Sequence, residues 1–388
     1  MSNAPRKIGI VLDTSLDPND GVQQYVLRVG EWLTKQGHEV HYLVGETKER
    51  QLSNIHSLSK NLNVKFNGNR TTIPLWASIR QVKKLLADLQ LDVLHVQMPH
   101  HPLMAQTIIL SAQPSTAIVG TFHILPVTKI ETVATKLLGY LLRPSLKRFD
   151  EILAVSKPAQ VFLDESFGIQ ASVLSNVIDL DWYQSGMETV STKRKGVVRI
   201  VFLGRLVERK GAMQLLEAVA ALPTVVQAKI ELVVGGMGPL LPKLQSYVKQ
   251  TKLDKIVTFT GFVDEANKPT FLRQADIAVF PATGGESFGI VLLEAMAAGS
   301  GLVIGGNNPG YSSVLAPFPE TLFDPNDSAA FSKQLQVFIE SKNIRSRIHV
   351  EQQRHVKKFD IEVVGPKLVG YYENAIAKRM RNKDNRLR

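Results

Sequence analysis

The chain has 388 residues, 44% of them hydrophobic, and it carries a formal net charge of +11 and no cysteine. This length exceeds one ordinary hydrophobic core, so we expect two domains, and the lack of cysteine excludes a disulfide scaffold and thiolate metal sites. Because the sequence has neither a bilayer-length apolar segment nor a signal-peptide pattern, it predicts a cytoplasmic protein.

In the first half, short apolar runs alternate with amphipathic segments of helical length, which is typical of a parallel sheet covered on both faces. The predicted strands are Lys7 to Leu12, Glu39 to Val44, Asp92 to Gln97, Ala117 to Phe122 and Glu151 to Val155. The predicted helices are Val22 to Gln36, Ile79 to Leu89, Leu103 to Ala112 and Thr132 to Phe149. The first domain is expected over residues 1–184.

The same alternation restarts after a polar, lysine-rich stretch, which we interpret as a linker over residues 185–197. The predicted strands of the second domain, residues 198–360, are Val198 to Leu203, Lys229 to Val234, Ile256 to Thr260, Asp276 to Phe280 and Leu302 to Ile304. A C-terminal helix over about 361–382 is expected to pack back on the first domain. The predicted class is α/β, with two doubly wound Rossmann-like domains facing each other across a cleft.

The stretch GGESFGIVLLEAMAAG at 284–299 follows a predicted strand and leads into a helix that starts near Phe288 or Gly289. Its glycines allow the backbone to approach a ligand, and the free amides of the helix start favour a phosphate group. Glu286 would lie beside this anion site, and Glu294 about two turns further along the helix. A sugar nucleotide has hydroxyls for both acids, but a capping Glu286 and a surface Glu294 would explain the same residues.

The stretch FLGRLVERKG at 202–211 places Arg205 at a strand end and Lys210 at a helix entry. Cations there would neutralise a diphosphate leaving group, whose developing charge catalysis has to stabilise. An ion pair between Arg205 and Glu208 is the alternative, although it gives no reason for the flanking glycines.

Together these motifs resemble the family 4 retaining glycosyltransferases of the GT-B fold, and the spacing of Glu286 and Glu294 is specific to that family. DVLHV at 92–96, GTFH at 120–123 and GGESFGIV at 284–291 are also similar to the phosphatidyl-myo-inositol mannosyltransferases. The resemblance implies transfer of a hexose, mannose from GDP-mannose, to an acceptor hydroxyl such as the inositol of phosphatidylinositol at the membrane surface.

The resemblance also implies roles for single residues. The implied catalytic residues are His123, Arg205, Lys210 and Glu286. The implied donor-binding residues are Gly21, Arg205, Lys210, Val263, Glu265, Lys268, Glu286, Phe288, Gly289, Ile290, Val291 and Glu294. Gln23 and His123 would bind the acceptor, although His123 read without the resemblance is equally an ordinary histidine at a strand end.

Two positions depart from the family pattern. Asp20 replaces the first glycine of the diglycine loop that precedes the first helix, and a carboxylate there would repel a diphosphate unless it is turned away. Val177 stands after Asn176, where the family usually has glycine. On the base side, an acid such as Glu265 can accept from the two adjacent N–H donors of guanine, which favours GDP over UDP, but it could equally cap the next helix.

No metal or tightly bound cofactor is expected. Asp179 and Asp181 have the spacing of a metal-binding DxD pair, but the predicted fold uses cations and helix ends instead. The histidines His95, His100 and His101 gather near a strand end without a carboxylate nearby in sequence, so a structural or cleft-lining role is favoured.

The predicted helix at 79–89 has Arg80, Lys83 and Lys84 on one side and apolar residues on the other. Such a helix could rest on an anionic membrane, on the inner face of the cell membrane, although routine packing of the apolar stripe is the alternative. Basic residues of a second helix, Lys136, Arg143 and Lys147, strengthen the membrane hypothesis.

Two other functions stay open at this point. The first is the same chemistry with a UDP-sugar and a soluble or other glycolipid acceptor. The second, suggested by charge alone, is a non-catalytic protein that binds sugar nucleotides or nucleic acid. A nucleic-acid partner is not predicted, because the basic patches lack the interleaved aromatic residues that single-strand binding requires.

Overall fold

The computed structural model describes residues 4–17, 20–48, 52–66, 69–123, 125, 129–185 and 196–387. The strands are β1 (Lys7–Leu12), β2 (Glu39–Gly45), β3 (Ile55–Ser59), β4 (Asn61–Phe66), β5 (Asn69–Pro74), β6 (Val93–Gln97), β7 (Ala117–Phe122), β8 (Glu151–Ala154), β9 (Ser172–Val173), β10 (Val198–Leu203), β11 (Ile230–Gly235), β12 (Val257–Gly261), β13 (Ile277–Phe280), β14 (Leu302–Gly306) and β15 (Leu322–Phe323). The helices are α1 (Gly21–Lys35), α2 (Ile79–Leu89), α3 (Met104–Ser111), α4 (Lys129–Leu141), α5 (Arg143–Leu146), α6 (Lys157–Phe167), α7 (Leu180–Gln184), α8 (Ala212–Ala220), α9 (Thr224–Gln227), α10 (Leu241–Gln250), α11 (Lys268–Arg273), α12 (Ile290–Ala297), α13 (Pro309–Leu315), α14 (Ser328–Glu340), α15 (Lys342–Val356) and α16 (Ile361–Leu387).

The chain divides into two compact units. One unit consists of Met1–Val177 with Ile361–Arg388, and the other of Ile178–Asp360. No helix in the described part of the chain combines the length and apolar composition needed to span a bilayer.

A parallel sheet in the order β3-β2-β1-β6-β7-β8-β9 forms the centre of the first unit. Ile8 and Ile10 pack into a core shared with α1 and α16 on one face, and Val11 and Leu94 pack toward α2 and α3 on the other. Strands that are buried on both faces need apolar residues at nearly every position, which explains the continuous apolar runs of the sequence.

Helix α16 belongs to the first unit although it follows the second in sequence. Buried residues at helical spacing, among them Val364, Leu368 and Tyr372, join the core around β1. The Arg6 guanidinium holds the Glu373 carboxylate with two hydrogen bonds, of 2.9 and 2.8 Å. The helix is therefore fixed by apolar burial and by a bidentate ion pair.

The second unit is built on a parallel sheet in the order β12-β11-β10-β13-β14-β15. The predicted α/β class, with two Rossmann-like domains, is confirmed.

The boundary between the units lies earlier than the sequence prediction placed it. Residues 178–184 fall in the second unit, where the Tyr183 carbonyl accepts a hydrogen bond of 2.6 Å from Arg273 and Ile178 bridges to Asp360. Residues 178–184, which were predicted to end the first domain, therefore belong to the second unit. Of the predicted linker, residues 186–195 lie outside the described residues.

The predicted single helix at 132–149 is wrong: it is divided into α4 and α5 around Leu142. Pro144 lies in the first turn of α5, and its nitrogen cannot donate to the preceding turn, so one hydrogen bond of a continuous helix is missing at this position.

Candidate active site

The strand order of the second unit reverses between β10 and β13, and open parallel sheets bind ligands beyond the carboxyl ends of their strands at such a point. The 204–211 motif follows β10, and the 281–289 segment follows β13. Gly211 has φ +75°, and a β-carbon there would collide with the carbonyl oxygen of Pro281. The Thr283 N–H donates to the Arg209 carbonyl at 2.9 Å. Main-chain contacts therefore fix one motif against the other.

Glu286 accepts two charged hydrogen bonds at a single carboxylate oxygen. Its Oε1 lies 2.8 Å from Lys210 Nζ and 2.6 Å from Arg209 Nη1. The Glu286 side chain is only 13% exposed, so solvent screens this cluster weakly. A carboxylate and two cations thus meet at the edge of the sheet.

Arg209 was missed by the sequence prediction, which chose Arg205 and Lys210 from the same motif. Arg209 and Lys210 lie together in a 3₁₀ turn over Glu208–Lys210 that ends at Gly211. The signal in the sequence that could have indicated Arg209 is its position next to Lys210, directly before the glycine of the turn. Arg205 lies in the turn directly after β10, where its side chain is exposed.

Glu294 belongs to a separate charge cluster. It is 7% exposed on α12, so it is not a surface helix residue. Lys268 Nζ lies 2.8 Å from Glu294 Oε1 and 2.7 Å from Glu265 Oε2. Burial lowers the pKa of Lys268, but the charges and hydrogen bonds of both carboxylates outweigh it, so the pKa is raised. Lys268 therefore bridges the predicted ribose-side and base-side acids as a cation.

Helix α12 starts directly after Gly289, whose φ of +119° few other residues adopt. The first amides of this helix, which include Ile290 and Val291, are the kind of donors that bind anions. Phe288 is buried and its ring packs on Phe359 at 5.8 Å, so only its backbone is available to a ligand.

Tyr311, which the sequence prediction also missed, lies under this turn. A β-carbon on Gly289 would come within 2.8 Å of its ring. Burial raises the pKa of Tyr311 well above its ordinary value, and the charges of Glu286 and Glu294 raise it further. Tyr311 thus lies within electrostatic reach of both acids.

On the base side, Val263 and Glu265 follow β12 and are partly exposed. Val263 packs at the end of β11, where a β-carbon on Gly235 would lie 3.1 Å from its Cγ2. Phe262, the residue before Val263, is 63% exposed and is therefore accessible to a ligand.

In the first unit the strand order reverses between β1 and β6. Gly21 opens α1, and Asp20 caps that helix by accepting from the Val22 and Gln23 amides at 3.0 and 3.4 Å. The carboxylate that departs from the family pattern is thus used as a helix cap. Gln23 is buried, with Nε2 3.3 Å from the Ser15 carbonyl and Oε1 lacking a partner among the described residues.

His123 follows β7 and is held from two sides. Its Nε2 lies 2.9 Å from Gln97 Oε1, and its ring meets Tyr25 edge-on at 5.0 Å. Burial lowers the pKa of His123 to about 3, so the imidazole is neutral at neutral pH. Gln97, a third residue that the sequence prediction missed, is fully buried, and its Nε2 has no hydrogen-bond partner in the described part of the chain.

The remaining histidines of this edge have different surroundings. His95 lies between Thr121 Oγ1 and the Tyr372 hydroxyl, each at 2.8 Å, in the core. His101 Nδ1 is 3.5 Å from the buried carboxylate of Asp13. Within the described ranges, no three or more His, Asp or Glu side chains group so as to hold a metal ion. Asp179, from the DxD pair, caps α7 by accepting from the Trp182 amide at 2.8 Å.

The predicted membrane residues Arg80, Lys83 and Lys84 are all exposed on α2. The apolar stripe of this helix, however, packs mainly on its own sheet, because Val82 and Leu86 are buried in the core. Exposed apolar surface remains at Ile79, which is 61% exposed, and at the preceding Trp76, at 71%.

Comparison with known proteins identifies the family of the chain. The family model described as glycosyl transferases group 1 matches residues 187–355, and the one described as Glycosyltransferase Family 4 matches residues 19–182. The phosphatidyl-myo-inositol mannosyltransferase of Mycobacterium tuberculosis H37Rv is 31% identical over 95% of this chain and 96% of its own. The enzyme of the same name from Mycolicibacterium smegmatis is 30% identical over 95% of this chain and 93% of its own.

Among solved structures, the sucrose-phosphate synthase of Thermosynechococcus elongatus superposes with a TM-score of 0.72 over 96% of this chain and 99% of its own, at 17% identity. That likeness concerns the fold alone. With the sequence relatives and both family models, it leads to one conclusion: the chain belongs to the family 4 glycosyltransferases of the GT-B fold.

Proposed function

We propose that this glycosyltransferase moves mannose from GDP-mannose to a hydroxyl of the inositol ring of phosphatidylinositol, with retention of the anomeric configuration. The observation that carries the proposal is the contact of Lys210 and Arg209 with Glu286 at the β10–β13 switch point. The names of the sequence relatives favour mannose and an inositol lipid. Glu265 near the base side favours guanine.

In the proposed reaction, the bond between the anomeric carbon of mannose and the β-phosphate oxygen breaks, and its electron pair leaves with GDP. The acceptor oxygen forms the new bond to the same carbon, on the side from which GDP departs, and its proton passes to the departing β-phosphate oxygen. Charge therefore accumulates on the leaving diphosphate in the transition state, where fixed cations are most effective.

The charges of the second unit suit this task. Arg205, Arg209 and Lys210 with Glu286 give a net charge of two positive, which matches the two negative charges of a nucleoside diphosphate ester. The amides at the start of α12 add oriented donors. Glu286 would accept hydrogen bonds from mannose hydroxyls, and Glu294, aligned by Lys268, from the ribose.

In the first unit, His123 and Gln23 would hold the acceptor. Since burial lowers the pKa of His123 to about 3, it would act as a neutral hydrogen-bonding group and not as a cation. With Gln97 Oε1 accepting from Nε2–H, the other ring nitrogen remains an acceptor for a hydroxyl. Gln23 Oε1, buried and without a partner among the described residues, is a second acceptor atom.

The proposal is tested by incubating the protein with GDP-mannose or UDP-glucose, each with and without vesicles that contain phosphatidylinositol. The expected result is mannosylated phosphatidylinositol and GDP, formed only when lipid and GDP-mannose are both present. Consumption of UDP-glucose in place of GDP-mannose would overturn the donor assignment, and transfer to a soluble acceptor alone would overturn the lipid assignment.

A further inference from the structure

The last turns of helix α4 display apolar side chains to solvent. Leu137, Tyr140 and Leu141 are 63%, 64% and 64% exposed. Residues three and four apart lie on one side of a helix, so the three form a single apolar stripe. We call this surface, with its flanking cations, the α4–α5 face: Lys136, Leu137, Tyr140, Leu141, Arg143 and Lys147.

This stripe is not the side by which the two helices pack on their own unit. Leu142 and Leu146 are buried, and a β-carbon on Gly139 would come within 2.5 Å of the Phe167 ring. A surface helix normally buries its apolar side and leaves polar residues outside. Here the helix has a packed side and, in addition, an exposed apolar one, which indicates an external partner.

The charge around the stripe identifies the chemistry of that partner. The sequence from 135 to 149 has no acidic residue, and its basic residues are Lys136, Arg143, Lys147 and Arg148. The Arg148 guanidinium is engaged by the carbonyls of Leu110 and Ala112, whereas the other three cations are exposed.

The two acids that directly follow this segment are paired with cations of α16. Asp150 bonds Arg379 at 2.6 Å and Glu151 bonds Lys378 at 2.7 Å. The Arg143 guanidinium lies 5.0 Å from the centre of the Tyr140 ring, so a cation and an amphipathic aromatic group are held side by side. Apolar side chains bordered by cations fit the boundary between acyl chains and anionic headgroups.

We propose that the α4–α5 face docks onto an anionic phospholipid surface, with Leu137, Tyr140 and Leu141 in the interface and Lys136, Arg143 and Lys147 on the headgroups. This contact is separate from α2. It rests on the proposed function only in that a lipid acceptor gives the enzyme a reason to bind a membrane. Marginal membrane binding becomes stable when two signals act together, so a second face would complement the charges of α2.

The chain has no cysteine, so one introduced cysteine can carry a polarity-sensitive fluorophore. Leu141→Cys is the test, and Val225→Cys, 70% exposed in the second unit, is the matched control. Vesicles of phosphatidylcholine and phosphatidylinositol in equal amounts should shift the label at 141 to an apolar signal and leave the label at 225 unchanged. Phosphatidylglycerol in place of phosphatidylinositol should act alike, and phosphatidylcholine alone should not. An unshifted label at 141 would overturn the proposal.

Flotation with the same vesicles measures the contribution of the face. Replacing Leu137, Tyr140 and Leu141 by serine should lower binding by roughly tenfold or more, because the buried apolar area is lost. The control replaces three exposed valines of the second unit by serine: Val225, Val337 and Val350. Equal binding by both triple variants would refute the proposal.

Activity separates this inference from the proposed function. Wild type that binds vesicles through this face but forms no mannosyl lipid contradicts only the proposed function. Wild type that forms the product while the serine variant binds as well as wild type contradicts only the docking inference.

Discussion

Replacing Glu286 by glutamine keeps the shape of the side chain and removes its charge. In the proposed transition state the carboxylate accepts hydrogen bonds from mannose, and hydrogen bonds to a charged group are worth about 1.5–3 kcal/mol. Because the Glu286 side chain is only 13% exposed, water can replace few of the hydrogen bonds that are lost. We expect kcat/KM for GDP-mannose to fall by roughly 30- to 1,000-fold, which corresponds to about 2–4 kcal/mol.

The affinity for GDP should change in the opposite direction. Glu286 competes with a diphosphate for Lys210 and Arg209, since both cations bond its Oε1. A like charge about 4 Å away costs about 1 kcal/mol even in bulk water, so GDP should bind Glu286→Gln at least about fivefold more tightly. GDP has no hexose and loses no contact with the carboxylate.

Steady-state kinetics and calorimetric titration with GDP measure the two effects. The matched control is Glu208→Gln, which removes the same charge from a carboxylate that is 71% exposed in the turn holding Lys210. The control should stay within about twofold of wild type. If Glu286→Gln loses GDP affinity together with activity and melts at a lower temperature, Glu286 holds the loops together and does not contact the sugar.

Three further predictions concern the surroundings of the site. Gly211→Ala should destabilise the protein by more than 1 kcal/mol in urea unfolding and weaken GDP binding, whereas Gly299→Ala, at a similar φ of +80° in open space, should keep GDP affinity. Lys268→Met leaves the Glu294 carboxylate buried and unpaired, so the free energy of unfolding should fall by about 3 kcal/mol. The affinity for GDP should fall as well, and an unchanged affinity for GDP would contradict the bridging role of Lys268. Burial lowers the pKa of His95 to about 3 from an ordinary 6.5, so the unfolded state binds more protons and stability should decrease as pH falls between these values; an equally steep profile for His95→Gln would contradict this.

The central strands could be predicted closely, because strands buried on both faces are apolar at almost every position. The first and last residues of β1, β7 and β10 coincide with the predicted ones. Strands β3, β4, β5, β9 and β15 were missed. β3 is half-exposed at the sheet edge and β4–β5 form a polar hairpin outside it, so tertiary pairing decides their conformation more than local pattern does.

The glycines around Glu286 and Lys210 were interpreted from the sequence as allowing the backbone to approach a ligand. In the structure Gly211 also allows its loop to approach Pro281, and the Lys210 and Glu286 side chains are in contact. The ion-pair partner of each charged side chain could not be predicted from the sequence. Arg209 reaches Glu286 because a 3₁₀ turn directs it there, and Lys268 reaches Glu294 through the packing of α11 on α12. Tyr311 comes from α13, after β14, and only the packing of its ring under Gly289 shows that it lies near the two acids.

The most direct test of the central claim is a crystal structure of the protein with GDP bound. We predict that the diphosphate contacts Lys210 Nζ, the Arg205 guanidinium and the first amides of α12, and that Glu294 accepts a ribose hydroxyl. GDP bound away from the β10–β13 switch point, or a diphosphate that leaves Lys210 and Arg205 untouched, would contradict the account.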